Sequence, residues 1–216
     1  MGQLEKILKE EPLPEASRPQ KAQGTQVAFE HVSFTYPGAA RPALSDVSFT
    51  VRPGSTVALV GPSGGGKTTA GSLIPRFWDV TAGRVTVGGV DVREMDAQAL
   101  MRQVAFVFQD TRLFKQSILE NIRAARPEAS REQVMEAALA AQCGDILEKL
   151  PEGLDTVIGT KGVYLSGGEC QRIALARAIL KDAPIIVLDE ASAFADRKMS
   201  TRFRKPSRRW CGEKRC

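Results

Sequence analysis

The chain has 216 residues, 43% hydrophobic and 25% charged, enough apolar material for one to one and a half folded domains. That balance excludes a disulfide-stapled miniprotein, a collagen-like chain and a wholly disordered one. The net charge of +5 hints at an anionic partner, but nine of the thirty Lys/Arg and only one of the 25 acids lie in 197–216, so residues 1–196, with 21 basic and 24 acidic, are mildly acidic.

From the start, Leu4, Ile7 and Leu8 share a helical face that Pro12 and Pro14 end, and polar residues to Gly24 read as a linker. This charged, proline-broken beginning is no signal peptide, and Lys6 fits a myristoylation site poorly. Strands are expected at 27–29, 32–36, 47–51 and 56–60. The run VALV at 57–60 is uniformly apolar, as in a strand buried on both sheet faces. Residues 83–92 read as two strands joined at Gly88-Gly89, and 104–109 as another strand. Helical spacing occupies 116–125, 130–142 and 168–181, and 185–188 is a second continuous apolar strand. Strands alternating with helices point to an α/β protein. Cys143, Cys170, Cys211 and Cys216 form no C-x-x-C pair and read as reduced thiols of a cytosolic protein. No stretch reaches the ~18 apolar residues of a membrane span. His31, the one histidine, reads as a structural strand residue.

The sharpest local signal is Gly61-Pro62-Ser63-Gly64-Gly65-Gly66-Lys67-Thr68, followed by Thr69, between an apolar run and helix-compatible residues. Glycines let successive backbone N–H groups turn inward on phosphates. Lys67 brings a cation to the β- and γ-phosphates, and the Thr68 hydroxyl can ligate Mg²⁺. IIVLDE at 185–190 then places Asp189 at the end of an apolar strand, where it can hold the same ion, with Glu190 next to it to polarise an attacking water. Together these two motifs mean only a Mg²⁺-dependent nucleoside triphosphatase or kinase.

A third motif narrows the class. Leu165-Ser166-Gly167-Gly168-Glu169, running into CQRIALARAIL and then DAPIIVLDEAS, resembles the nucleotide-binding domain of ABC transporters over about 27–196. The resemblance implies a P-loop α/β core with an antiparallel β subdomain and an α-helical subdomain at about 111–182. It implies that Ser166, Gly167, Gly168 and Glu169 close on the ATP of a second such domain, in a homo- or heterodimer. Tyr36 resembles the aromatic residue that stacks on adenine, and Gln109 the glutamine that contacts Mg²⁺ and the attacking water. Asp196 resembles the aspartate of the dimer-crossing loop. QDTRLFKQSILENI looks like the exporter type, in which a transmembrane permease domain shares the polypeptide. Cys170 departs from the usual Gln or Arg, and Thr160-Lys161 from the usual Glu-Arg.

The resemblance ends after Asp196. The family requires a histidine about 30 residues beyond the second carboxylate motif, and none follows Glu190 in the 216 residues. The basic stretch 197–216 reads as an aberrant, disordered tail, with the last core strands missing. A frameshift accounts for it. One inserted base lets codons for residues 196–206 read Asp-Pro-Glu-Asn-Glu-His-Ala-Ile-Gln-Lys-Ala, as the family does there. The expectation is therefore residues 1–24 as linker, 25–196 as ATP-binding domain, and weak hydrolysis by this chain. The solute is chosen by membrane helices encoded elsewhere. The expected site is the cytoplasmic face of the cell membrane for the intact transporter and the cytoplasm for this chain, with no nucleic-acid partner. The rivals are a soluble ABC-type ATPase not linked to transport and a non-functional gene remnant.

Overall fold

A computed structural model describes residues 12–159 and 163–189. They fall into two compact units: one formed by the chain to Pro53 and by Val60–Met101, the other by Gly54–Leu59 and the chain from Arg102.

The first unit is built on a four-stranded antiparallel sheet, ordered β2-β1-β3-β4, of β1 (Val27–Phe34), β2 (Leu44–Val51), β3 (Ala82–Val87) and β4 (Val90–Asp91). The two short strands expected before residue 36 are one strand with irregular register. His31 and Asp46, both at positive φ, face each other there, with His31 Nδ1 2.7 Å from Asp46 Oδ1. The His31 N–H donates to Ser48 Oγ and the Asp46 N–H to Ser33 Oγ, so side chains satisfy the groups that the bulge removes from the ladder. Phe29, Val32, Leu73, Val85, Val87 and Met95 are buried in this unit. It also carries helix α1 (Lys67–Leu73), and α2 (Ala97–Gln103) begins in it. The segment 12–24 is tied down rather than loose: the Gln20 N–H donates to the Glu94 carbonyl at 2.8 Å, and Arg76 Nη2 to the Pro14 carbonyl at 2.8 Å.

The second unit holds a parallel pair, β5 (Val104–Val107) with β6 (Ile185–Leu188), and four helices. These are α3 (Ile118–Arg123), α4 (Arg131–Ala140), α5 (Gly144–Lys149) and α6 (Gly167–Lys181). Ser117, Ser130 and Ser166 cap α3, α4 and α6 by accepting a backbone N–H three residues on, which places those helix starts where the sequence does. Along α6, Ile173, Leu175, Ala176 and Leu180 enter a core with Ile118, Ile122, Val134, Ala138, Ile146 and Leu154. The small Ala174 and Ala178 let the same helix lie close on Ala105 and Val107 of β5. Both α2 and α5 are absent from the sequence expectation. Each is short, with a single fully apolar-buried position (Leu100 and Ile146), too little for a readable period.

One expectation fails. Residues 56–60 form no strand, and Val60 is 92% exposed. β6 forms as expected, but Ile186 and Leu188 are more than a third exposed. A uniformly apolar strand is stable only between two neighbours. Among the described residues β6 pairs with β5 alone, and no strand pairs with 56–60.

Candidate functional site

In the first unit, the phosphate loop turns sharply at Pro62–Gly65, where the Gly65 N–H donates to the Pro62 carbonyl at 3.1 Å. It ends at Gly66, whose φ of 79° starts α1. A Cβ on Gly66 would lie 2.6 Å from the Ala43 carbonyl oxygen and 2.7 Å from Leu44 Cδ2, so only glycine fits this close approach to the start of β2. No side chain caps α1 and no acid lies in its first turn. Lys67 folds back over the loop: Nζ donates to the carbonyls of Gly61 (3.1 Å) and Pro62 (2.8 Å). The ammonium is thus held against the loop backbone by two carbonyl oxygens. Thr68 and Thr69 follow on the first turn of α1, exposed and buried respectively.

Tyr36 stands two residues beyond β1, at the first position of a turn in which the Ala39 N–H donates to the Tyr36 carbonyl. Pro37 presets that turn, and Gly38 (φ 77°) supplies its left-handed residue. The Tyr36 hydroxyl lies 3.1 Å from Thr69 Oγ1. Its ring meets Phe34 and Trp78 nearly at right angles, with centroids 4.7 and 5.4 Å away.

In the second unit, Gln109 and Asp189 emerge from the carboxyl ends of adjacent parallel strands. Val107 pairs with Leu188, and the Asp189 N–H continues the ladder to the Val107 carbonyl at 3.0 Å. Asp189 is buried and Gln109 exposed. The parallel pair therefore brings together two of the residues expected at the metal. The third, Thr68, is in the other unit. Glu190 and Asp196 lie outside the described residues, as do Thr160 and Lys161 and the tail.

Ser166, Gly167 and Gly168 are exposed at the start of α6. A full capping box links the two ends of this turn: the Glu169 N–H donates to Ser166 Oγ, while the Ser166 N–H and hydroxyl both donate to Glu169 Oε2 at 2.8 Å. The Ser166 N–H, then its hydroxyl, hold the Glu169 carboxyl below the usual glutamate range. Nothing lies within 4 Å of a Cβ built on Gly167 or Gly168. Burial raises the Cys170 thiol, and its sulfur faces the Leu165 carbonyl, so this departure acts on packing.

Sequence reasoning missed the side chains that hold the Gln109 segment to α6. Gln171 Nε2 donates to the Gln109 carbonyl (3.1 Å), and Lys181 Nζ to the Val104 carbonyl (2.8 Å). Arg177 donates to the Asn121 carbonyl (2.5 Å) and Oδ1 (2.6 Å) and lies over the Phe114 ring. Burial lowers the pKa of Arg177 from its ordinary value. Asn121, fully buried, also bonds both the N–H and the carbonyl of Phe114. A buried glutamine on an otherwise apolar helix face was the one readable sign of this framework.

The family model described as ABC transporter matches residues 44–193. The ATP-dependent lipid A-core flippase of Methylobacillus flagellatus is 51% identical over 177 residues, covering 82% of this chain and 30% of the flippase. The putative multidrug export ATP-binding/permease protein YgaD of Bacillus subtilis is 49% identical over 170 residues, 79% of this chain and 29% of that protein. A solved structure of a bacterial Atm1-family ABC exporter with ATP bound superposes with a TM-score of 0.82 at 36% identity, covering 93% of this chain and 35% of that one. The chain spans about 30% of the length of these curated relatives.

Proposed function

The chain belongs to the ABC transporter family and carries the ATP-binding domain of its exporter branch, and from that premise we propose that residues 25–196 bind Mg²⁺·ATP and, paired with a second such domain, drive a permease. The observation that carries this reading is the phosphate loop, with Lys67 Nζ held on its own carbonyls of Gly61 and Pro62. The backbone N–H groups from Ser63 to Thr69 cradle the phosphates, Lys67 neutralises the terminal two, and Tyr36 stacks on the adenine. Thr68 in the first unit offers a hydroxyl, and Asp189 and Gln109 in the second a carboxylate and a carboxamide oxygen, each a donor type that suits a small hard cation. Mg²⁺ bound by oxygens of this kind would supply charge neutralisation on the transferred phosphoryl group. Gln109 orients the attacking water and Glu190 polarises it, and no covalent intermediate forms.

Ser166, Gly167, Gly168 and Glu169 serve the ATP of the partner domain. The open space at both glycines supports this, because nothing among the described residues requires glycine there. Asp196 crosses the same interface. A cleft of about 360 Å³ beside the Gln109 segment, lined by Phe106, Phe108, Arg112 and Arg177, gives a permease segment a place to seat. No described helix is long and apolar enough to cross a membrane. We assign the permease to other sequence and the domain to the cytoplasmic membrane face by likeness to the exporter relatives, one of which is named an ATP-binding/permease protein. Titration calorimetry of the purified chain with Mg²⁺·ATP tests the proposal. Equal affinity in wild type and Lys67→Ala would overturn it.

A further inference from the structure

In the first unit, the base side and the phosphate side of the proposed ATP site are joined by one hydrogen bond. Tyr36 follows β1, whereas Thr69 is the third residue of α1, directly after Lys67 and Thr68. Their hydroxyls are 3.1 Å apart, across 33 residues of sequence. Thr69 is buried, and its own carbonyl accepts the Ser72 hydroxyl at 2.8 Å, so the helix end of this bond is fixed. On the other side, Phe34 and Trp78 hold the Tyr36 ring by near-perpendicular contacts. The loop carrying Tyr36 is anchored as well: the Thr35 N–H donates to Thr81 Oγ1 at 3.1 Å. A ring held by its neighbours' faces could still rotate about its long axis or swing outward. A hydroxyl tether at the para position removes the outward swing.

We propose that Thr69 is a positioning residue for the nucleobase: its hydroxyl, paired with that of Tyr36, sets the tyrosine ring at a fixed distance from the phosphate loop, so that the chain selects a purine nucleoside triphosphate over bare triphosphate. This rests on the reading of Tyr36 as the base platform. Thr69 acts through Tyr36, and the pair works as a spacer between two subsites. The preference for ATP comes from a preorganised ring. Without the tether, stacking has to order the ring first, and part of the binding energy is lost.

The test is equilibrium binding of ATP and of inorganic tripolyphosphate, each with Mg²⁺, to the 216-residue chain and to Tyr36→Phe, Thr69→Val, Thr69→Ser and the Phe/Val double variant. Circular dichroism checks that each variant folds. Tyr36→Phe keeps the stacking surface and removes only the tether, so ATP affinity should fall about three- to tenfold while tripolyphosphate affinity holds. Thr69→Val should lose at least as much for ATP, Thr69→Ser should recover it, and the double variant should bind ATP no worse than Thr69→Val alone. If wild type prefers ATP and Tyr36→Phe keeps that preference in full, or the two losses add, the tether is overturned while the platform stands. If wild type binds both ligands equally, the platform reading falls and takes the tether with it.

Discussion

Two helix starts in this molecule are assigned to phosphate, and they are built in opposite ways. At α1 no side chain caps the helix, the preceding residue is a left-handed glycine packed on β2, and a lysine closes over the loop carbonyls. At α6 the serine and glutamate of the signature satisfy each other, and the glycines between them face open space. The first is shaped from within its own unit and is ready for an anion. The second has its serine engaged by Glu169, so a group proposed to approach from a partner would compete for Ser166. A site that must act on a partner's nucleotide only after two domains meet has reason to be sealed in the free chain.

The largest effect expected from this contrast separates binding from pairing. Lys67→Ala should weaken ATP binding by about ten- to a hundredfold, since a charged hydrogen-bond partner of the phosphates is lost. Ser166→Ala should leave ATP binding by the single chain within about twofold. It should weaken any ATP-dependent dimer seen by analytical ultracentrifugation. Equal losses of binding in both variants would make the two helix starts equivalent and end the contrast.

The glycines break the comparison differently. Gly66→Ala forces a Cβ to within 2.6 Å of the Ala43 carbonyl at a φ of 79°. It should cost about 2 kcal/mol or more, read as a lower urea midpoint. Gly168→Ala meets nothing within 4 Å, so it should stabilise α6 by up to about 1 kcal/mol while impairing ATP-dependent pairing. A Gly168→Ala chain that is destabilised would show that the glycine serves its own fold.

The two helix starts were legible in the sequence for the same reason: their chemistry depends on fixed spacing over a few residues, and the local chain supplies it. Asp189 was legible because an apolar strand delivers it. The strand expected at 56–60 does not form, because an apolar strand depends on neighbours that the described residues do not provide. The clamp of Gln171, Arg177 and Lys181 on the Gln109 segment escaped too, because its partners lie 56 to 77 residues away and no short pattern encodes them. Tyr36 was found by its setting in FTYPG, whereas its tether to Thr69 is visible only in three dimensions.

The smallest effect concerns the seal on α6, and here the sign of the pH dependence decides. Glu169 has its carboxyl held below the ordinary glutamate value by the Ser166 N–H and hydroxyl. Its contribution is therefore fully present above about pH 4.3 and is lost as pH falls below that value. Thermal midpoints should be flat from pH 7 to 5 and then drop further in wild type than in Glu169→Gln. The neutral amide of that variant still accepts from the Ser166 N–H but does not titrate. Glu169→Ala removes one arm of the box and should cost about 0.5–1 kcal/mol at pH 7. Because Glu169 would compete with the proposed partner phosphate for Ser166, the same variant should expose the serine rather than disable it. Faster hydrogen exchange at residues 167–169 with unchanged exchange in the middle of α6 would show the box acting as a local latch. Fraying that spreads to Ile173 would make it a support for the whole helix instead.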